Sequence, residues 1–497
     1  PLKNQFRLYR IQLMQNQLLF HHNTVLVQYV PFFLYCTFQL YSQELTNPDG
    51  LWNSVYYKAD IWEASLGRWG IRFIDTIRMG LVSPIVSTFI SILVMSFATI
   101  LLVKLLKIKS KVAIVIVSIA MSAMPAFVDI LTYWYCSDSY TLSIFISILA
   151  VYLIFDGPFK KKRNNLFLAS MCLCFALSIY QAQIGVITAL CVFRTIIDIL
   201  EDNKTAKEVI KQLAYCLLMG VIGAIVYYII SKILLKFLGI PFANYGWSDM
   251  NGLENVKNLL PSIKNTYVTF FEYYFKDGIV RNLKWKRQYL NLALGLLSAI
   301  SIFIIVFKNR IYRKKVNIII LILAFMIIPI CLGSITIISP SNGMIIRMSV
   351  QYILPIIFAI ALIDLINTKK ENGLKENFAN IIKILICAVT ILINFTYFLS
   401  DNATYMAIKR THDQAYSYVV RVVDRIETNE EYKKGMTLML AGIIDKSEYL
   451  MDYKIYTMAN GGASDCPAFW NSYAGSTSIW KRFLNNYLGM SVTLCED

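Results

Sequence analysis

Residues 316–338 read VNIIILILAFMIIPICLGSITII, and the stretch before them, from Lys308 to Lys315, reads KNRIYRKK. An apolar run of this length matches the about 20 helical residues needed to cross a hydrocarbon core of about 30 Å. The cationic segment beside it belongs in a cytoplasmic loop under the positive-inside rule. The same couplet, apolar run and short basic cluster, recurs along the chain and decides the fold class. Of 497 residues, 57% are hydrophobic and 16% charged, and the mean hydropathy is +0.54. A soluble domain averages about 45–50% apolar and about 25% charged residues. The excess apolar surface must therefore face lipid, which rules out a soluble enzyme. The net charge of +17 sits in short runs between apolar stretches, a membrane topology signal that argues against a nucleic-acid partner.

Hydrophobic windows place spans near 24–41, 80–106, 111–129, 139–156, 166–180, 183–200, 213–238, 288–307, 316–338, 345–366 and 379–400, about eleven transmembrane helices. Segments 166–180 and 183–200 are short, and one kinked helix or a re-entrant pair fits them as well as two spans. With this count the basic clusters at 3–10, 104–111, 160–163, 204–211, 308–315 and 369–375 share one side, the cytoplasm. The N-terminus falls inside. The first outer loop (42–79), the loops 130–138, 181–182 and 339–344, the large outer loop (239–287) and the C-terminus fall outside. The expected organisation is an all-α polytopic membrane domain, 1–400, followed by a small extracytoplasmic α/β or α+β domain, 401–497. In that tail, 405–428 reads as an amphipathic helix and 435–444 as a buried strand. Its cysteines, Cys466 and Cys495, fit either a disulfide or two unpaired thiols.

Three histidines, no CxxC pair, no GxxxxGK[ST] loop and no GxSxG elbow leave no visible His-rich metal site, ATP engine or nucleophilic serine. All eight tryptophans fall on the predicted outer side. That fits platforms for sugar rings, or simply longer outer loops. The first outer loop is densest, with Asn47-Pro48-Asp49-Gly50-Leu51-Trp52, Asp60-Ile61-Trp62-Glu63 and Gly67-Arg68-Trp69. Asp49 follows a Pro turn at the end of the first span, where a partly desolvated carboxylate can act as general base toward a hydroxyl. Asp60 and Glu63 share a helix face and compete for that role, or serve as a solvated helix cap. A divalent ion could be held weakly by Asp49, Asp60 and Glu63; the chain implies no certain cofactor. Asp129 ends the third span. Asp138 is either a helix cap or a site carboxylate, and Tyr180-Gln181-Ala182-Gln183 puts polar groups at membrane depth, where they need partners. Arg347 stands at the outer start of the span 345–366; its fork suits a phosphate, and snorkelling to the headgroups is the alternative.

The order of these features resembles the glucosyl transferase II family of polytopic bacterial enzymes. The carriers are Asn47-Pro48-Asp49, Gly67-Arg68-Trp69, Ser137-Asp138-Ser139-Tyr140 and Tyr180-Gln181-Ala182, over residues 24–400. The resemblance implies the GT-C architecture, with an outward-facing site and a polyprenyl-phosphate sugar as donor. It also implies location in the bacterial inner membrane and a catalytic acid in the first outer loop, which maps to Asp49. Where the family often carries adjacent acids, this chain has Asp49 followed by Gly50, which keeps Asp60 and Glu63 in contention.

The expected function is transfer of a hexose, glucose by the resemblance, from polyprenyl phosphate to a surface glycan acceptor. The reaction is direct displacement with inversion. Asp49 is the base, Arg347 and Arg68 hold the donor phosphate, and Trp52, Trp69, Asp138, Tyr180 and Gln181 contact sugar or acceptor. The alternatives are a transporter or flippase for lipid-linked saccharide, or a glycan polymerase or ligase. A transporter should show paired repeats and midplane ionisable groups, whereas the ionisable groups here crowd the outer ends of spans. The topology has a direct test in a background lacking native cysteines. Lys161→Cys and Lys314→Cys should resist an impermeant thiol reagent on whole cells, and Ser248→Cys and Lys446→Cys should react; the reverse pattern would invert every site assignment.

Overall fold

The computed structural model describes residues 49–50, 57–243, 258–338, 344–366, 374–433, 435–439, 458–460 and parts of 480–495. The described chain is mostly helical. Two short helices, α1 (Ile61–Ser65) and α2 (Trp69–Ile77), precede α3 (Pro84–Leu105), α4 (Lys111–Ser122), α5 (Pro125–Thr132) and α6 (Ser137–Asp156). Then come α7 (Lys162–Ile179), α8 (Ile184–Leu200), α9 (Ala206–Leu238), α10 (Leu259–Phe275), α11 (Arg287–Lys308) and α12 (Lys315–Leu332). The series ends with α13 (Ser334–Ile338), α14 (Leu354–Ile366) and α15 (Leu374–Glu427).

Among the described residues, seven helices are long and apolar enough to cross a membrane, and eight if α4 and α5, bent by 41°, form one broken span. The sequence reading of about eleven differs for local reasons. The expected span 24–41 lies outside the described residues. The segment 166–180 belongs to α7, whose first turn carries Lys162, Arg163, Asn164 and Asn165 and dilutes its apolar character. The segment 345–366 divides into 3₁₀ turns at Ile346–Met348 and Val350–Ile353 and the short helix α14. The segments 166–180 and 183–200 form two helices, α7 and α8, joined by a 3₁₀ turn at Gln181–Gln183.

Local chemistry explains several boundaries. Pro84 and Pro125 open α3 and α5, where a missing N–H costs nothing. Thr205 and Glu208 close a capping box on α9, and Gly239, at φ +68°, ends it. Where α3 meets α6, small hydroxyl residues line the contact: Ser87 and Ser91 on α3, Ser137 and Ser143 on α6. Each such hydroxyl can return its proton to its own helix, as Ser91 Oγ does to Ser87 O at 2.7 Å. Backbones can then approach closely without stranding a donor in an apolar medium.

One end of the bundle is tied by ion pairs among the loops expected to lie in the cytoplasm. Asp198 accepts from Lys107 at 2.7 Å, Lys204 at 2.6 Å and Arg194 at 3.1 Å. Arg194, buried, also reaches Asp156 at 2.7 Å, and Asp364 accepts from the backbone of Lys109 at 2.6 Å. Four loops that the charge pattern put on one side thus meet at one end. Three cations around one carboxylate offset the cost of burying it.

In the C-terminal region the expected boundary at 400/401 falls inside one helix, since α15 runs unbroken from Leu374 to Glu427. Its far half includes the expected amphipathic helix 405–428, and Val419 packs with Trp480, Phe483, Leu484 and Met490 in a small cluster apart from the main core. Of the expected strand 435–444, Thr437–Leu438 is a strand and pairs in parallel with Thr493–Leu494; residues beyond 439 lie outside the described residues, as does Cys466. Close packing of α9 on α7 gives a stability test. A Cβ at Gly223 would come within 2.9 Å of the Ser170 carbonyl, whereas one at Gly220 meets nothing. Gly223→Leu should therefore destabilise the protein by about 1–3 kcal/mol, read as a lower Tm in detergent, and Gly220→Leu should not.

Candidate active site

The opposite end of the bundle gathers residues from five separate segments. The first-loop helices α1 and α2 join at Gly67, whose φ of +75° suits glycine, and a Cβ there would lie 2.3 Å from the Tyr227 hydroxyl. Gly70, on α2, has the same tightness against Ser178, where a Cβ would come within 2.3 Å of Oγ. These two glycines seat the loop on the end of α7 and the face of α9, and so fix Arg68 between them.

Gln181, in the break between α7 and α8, holds this loop in place. Its Nε2 donates to Leu66 O at 2.7 Å and to Tyr227 Oη at 3.0 Å, and its Oε1 accepts from Arg68 Nε at 3.4 Å. The Arg68 guanidinium lies 5.3 Å from the centre of the Tyr180 ring, which stacks on Tyr140 at 4.6 Å. The Tyr180 hydroxyl is buried and faces the Arg347 guanidinium. At the break Gln181 has thus found protein partners, whereas Gln183 Oε1 is buried without one.

Arg347 enters from the 3₁₀ turn before α14. Its guanidinium stands 4.4 Å from the centre of the Tyr133 ring. Its backbone N–H donates to Asp129 Oδ2 at 3.1 Å, and its Nη1 lies 3.8 Å from the same oxygen. A charge-assisted hydrogen bond runs about 2.7–2.9 Å, so this side-chain pair is loose, and the guanidinium also meets the Tyr180 hydroxyl. Asp49 lies within Coulombic reach of Arg347, Arg68 and Asp129. It is solvent-accessible, yet protein crowds the side facing the arginines. That desolvation raises its carboxyl above the usual carboxylate range, and Arg347 and then Arg68 pull it back part of the way.

The structure therefore brings together Asp49, Arg68, Tyr180, Gln181 and Arg347 from the sequence-based set, and adds Asp129, Tyr133 and Tyr140. The signal for the additions was present, an acid at the end of an apolar run followed by tyrosines, but sequence spacing could not show that Asp129 turns toward Arg347. Other expected residues are employed elsewhere. Asp60 and Glu63 form a capping box on α1: Glu63 accepts from Asp60 N at 2.9 Å and from Tyr57 Oη at 2.8 Å. Asp60 is exposed beside Arg72. With Asp60 and Glu63 so engaged, the expected weak ion site of Asp49, Asp60 and Glu63 is not assembled, and no group of three potential ligands is close enough for a metal among the described residues.

Asp138 is the first-turn acid of α6 and pairs with Arg78 at 2.9 Å. Arg78 also bonds Asp75 and donates to Tyr135 O at 2.7 Å, while Asp75 accepts from Ala59 N at 2.8 Å. This cluster clamps the first loop to α6. Burial pushes the Asp75 carboxyl up to about 6, against the opposing pull of Arg78. Trp69 donates through its indole to Ser231 Oγ at 3.2 Å and packs near Phe175, so it anchors α2 on α9. Trp52 lies outside the described residues.

A profile of the glucosyl transferase GtrII family matches residues 53–360, more than half of the chain. No curated protein and no solved structure matches it. The match runs from the first loop to the helix that follows Arg347, and so covers the assembled site apart from Asp49. The chain belongs to the glucosyl transferase GtrII family and is a multi-pass membrane glucosyltransferase.

Proposed function

We propose that the protein moves glucose from a polyprenyl phosphate to a surface glycan acceptor, with a GT-C arrangement in the bacterial inner membrane and its site on the outer face. The observation that carries this reading is the meeting of one accessible carboxylate, Asp49, with two guanidiniums, Arg347 and Arg68, at the end of the bundle away from the basic loops. If those basic loops are cytoplasmic, the site faces outward, where nucleotide sugars are absent and a lipid-linked donor is the natural source. Residues 1–400 then form the catalytic unit, with the N-terminus inside and the segment 401–497 outside.

In this scheme the donor phosphate sits against Arg347, with Arg68 supporting it. The acceptor hydroxyl gives its proton to Asp49 while its oxygen attacks the anomeric carbon. The bond between that carbon and the phosphate oxygen breaks, and its electron pair leaves on the phosphate, where the guanidiniums stabilise the added charge. One base and no nucleophile give inversion. Tyr180 and Gln181 are the sugar-side contacts, Tyr133 braces the Arg347 guanidinium, and Asp129 orients it. Asp60, Glu63, Trp69 and Asp138 serve the architecture of the first loop rather than the chemistry.

Two outcomes test the assignment. Loss of a general base typically costs about 10²–10⁴-fold in rate. Asp49→Asn should lose that much glucose transfer in a radiolabelled-donor assay while still binding donor, and Asp60→Asn and Glu63→Gln should stay within severalfold of wild type. Transfer retained by Asp49→Asn but abolished by either of the others moves the base within the loop.

The second concerns pH. The base must be ionised, so the rate falls as pH drops through the Asp49 pKa, and that limb should lie above about 3.9, the ordinary aspartate value. Removing a cation that favours the carboxylate raises its pKa, so Arg347→Gln should shift the limb to higher pH as well as weaken donor binding. A limb that stays in place would detach Arg347 from Asp49.

A further inference from the structure

One buried cation has no part in the transfer step. Arg287 opens α11 and is fully buried, at a helix N-terminus whose dipole disfavours positive charge. Its compensation comes from α15. Nε donates to Thr396 Oγ1 at 2.8 Å, Nη2 donates to Thr396 O at 3.0 Å, and the guanidinium lies 4.2 Å from the centre of the Tyr397 ring. The Tyr397 hydroxyl in turn meets that of Tyr273, near the end of α10. A charge placed at such cost thus backs a pair of tyrosines that reach toward Arg347.

Tyr273 and its neighbour Tyr274 lie in the last turn of α10, where carbonyls lack a partner within the helix. Asn282 donates to Tyr273 O, and Asn291 donates to Tyr274 O at 2.8 Å, so the backbone under both tyrosines is pinned. Both side chains are buried against the 3₁₀ run that carries Arg347. Tyr274 donates through its hydroxyl to Tyr352 O at 2.6 Å. The Tyr273 ring lies 4.4 Å from the Tyr352 ring, and its hydroxyl also meets Ser349. Ser349 closes the turn around Arg347, since its Oγ donates to Ile346 O at 2.6 Å and its backbone N–H donates to the same oxygen at 2.9 Å. Hydrogen-bond geometry is poorer in a 3₁₀ helix than in an α-helix, so two such turns in succession depend on support from outside. Asp129 supplies it at the Arg347 backbone, and the tyrosines supply it at Ser349 and Tyr352.

We infer that Tyr273 and Tyr274 are positioning residues for glucosyl transfer: they hold the run 346–353 so that the Arg347 guanidinium keeps its place near Asp49, with Arg287 and Tyr397 as the buttress behind them. The inference rests on the reading of Arg347 as the residue that takes the donor phosphate, and adds what holds it there.

Two readouts on full-length protein in phosphatidylcholine nanodiscs test it. Tyr273→Phe and Tyr274→Phe keep the rings and lose only a hydroxyl. Each should speed amide exchange across 346–353, read by mass spectrometry, by about tenfold, the scale of one lost buried hydrogen bond. Each should also move the acid limb of glucose transfer to higher pH, as Arg347→Gln does but by less. The charged groups facing Asp49 are Arg347, Arg68 and Asp129. Of these the 3₁₀ run carries Arg347 alone, so a limb that moves reports on that guanidinium. Combined with Arg347→Gln, neither variant should shift the limb further, since the group it positions is gone. Tyr267→Phe should change neither readout; it removes a hydroxyl about two turns earlier on α10, one that donates to Met326 O at 2.7 Å. Unaltered exchange across 346–353, a wild-type limb in both tyrosine variants, or a shift that adds in full to that of Arg347→Gln would overturn the inference. Failure of the underlying reading looks different, because Arg347→Gln itself would then leave the limb in place.

Discussion

A guanidinium beside a membrane must find something to offset its lost hydration, and much of the site follows from how Arg347 does so. A ring face from Tyr133 and a carboxylate from Asp129 take it up without closing on it, the shorter contact to Asp129 being made by the backbone instead. The side chain is held in orientation by these groups and by the Tyr180 hydroxyl. The same arrangement couples elements far apart in the chain, because Asp129 lies within α5, Tyr133 caps its C-terminus, and Arg347 precedes α14. Helix breaks at these points set this geometry: straight helices would carry the three groups past one another.

Gln181 does for the first loop what Asp129 does for Arg347. A polar residue at the break of two apolar helices exposes unpaired backbone, a heavy cost in lipid. Here its amide is spent on Leu66, Tyr227 and Arg68, so the α7–α8 turn, α9 and the loop become one unit. The glycines at 67 and 70 permit the approach, since a methyl at either would strike the neighbouring helix. Asp75 of the first loop and Asp138 of α6 complete the clamp through Arg78, while Asp49 and Asp129 are the carboxylates near Arg347.

The two ends of the bundle treat charge differently. At the basic end Asp198, Glu201, Asp156 and Asp202 are matched closely by lysines and arginines, a saturated network that fixes loops. At the other end the contacts around Arg347 are long and an acid stands open to solvent. Saturation suits an end that fixes loops, and the looser pairing of Arg347 with Asp129 distinguishes the other end.

The sequence by itself determined the membrane class, the grouping of basic loops at one end, and the family. Each depends on composition, on periodic runs or on short motifs, all of which are local along the chain. It also singled out Asp49, Arg68, Tyr180, Gln181 and Arg347, because polar groups at the ends of apolar runs are conspicuous against their surroundings. It put Asp49 ahead of Asp60 and Glu63 but kept all three in contention as acids of one loop; the capping box of the latter two and the proximity of Asp49 to Arg347 are facts about partners. It could not see that Asp138 belongs to Arg78, or that Trp69 anchors α2 on α9. Those depend on which elements meet, and pairing between residues 60 or more positions apart leaves no trace in local pattern. The division between α4 and α5, and the 3₁₀ run before α14, were likewise decided by tertiary structure, because hydropathy measures how apolar a segment is and carries no information about where its backbone bends.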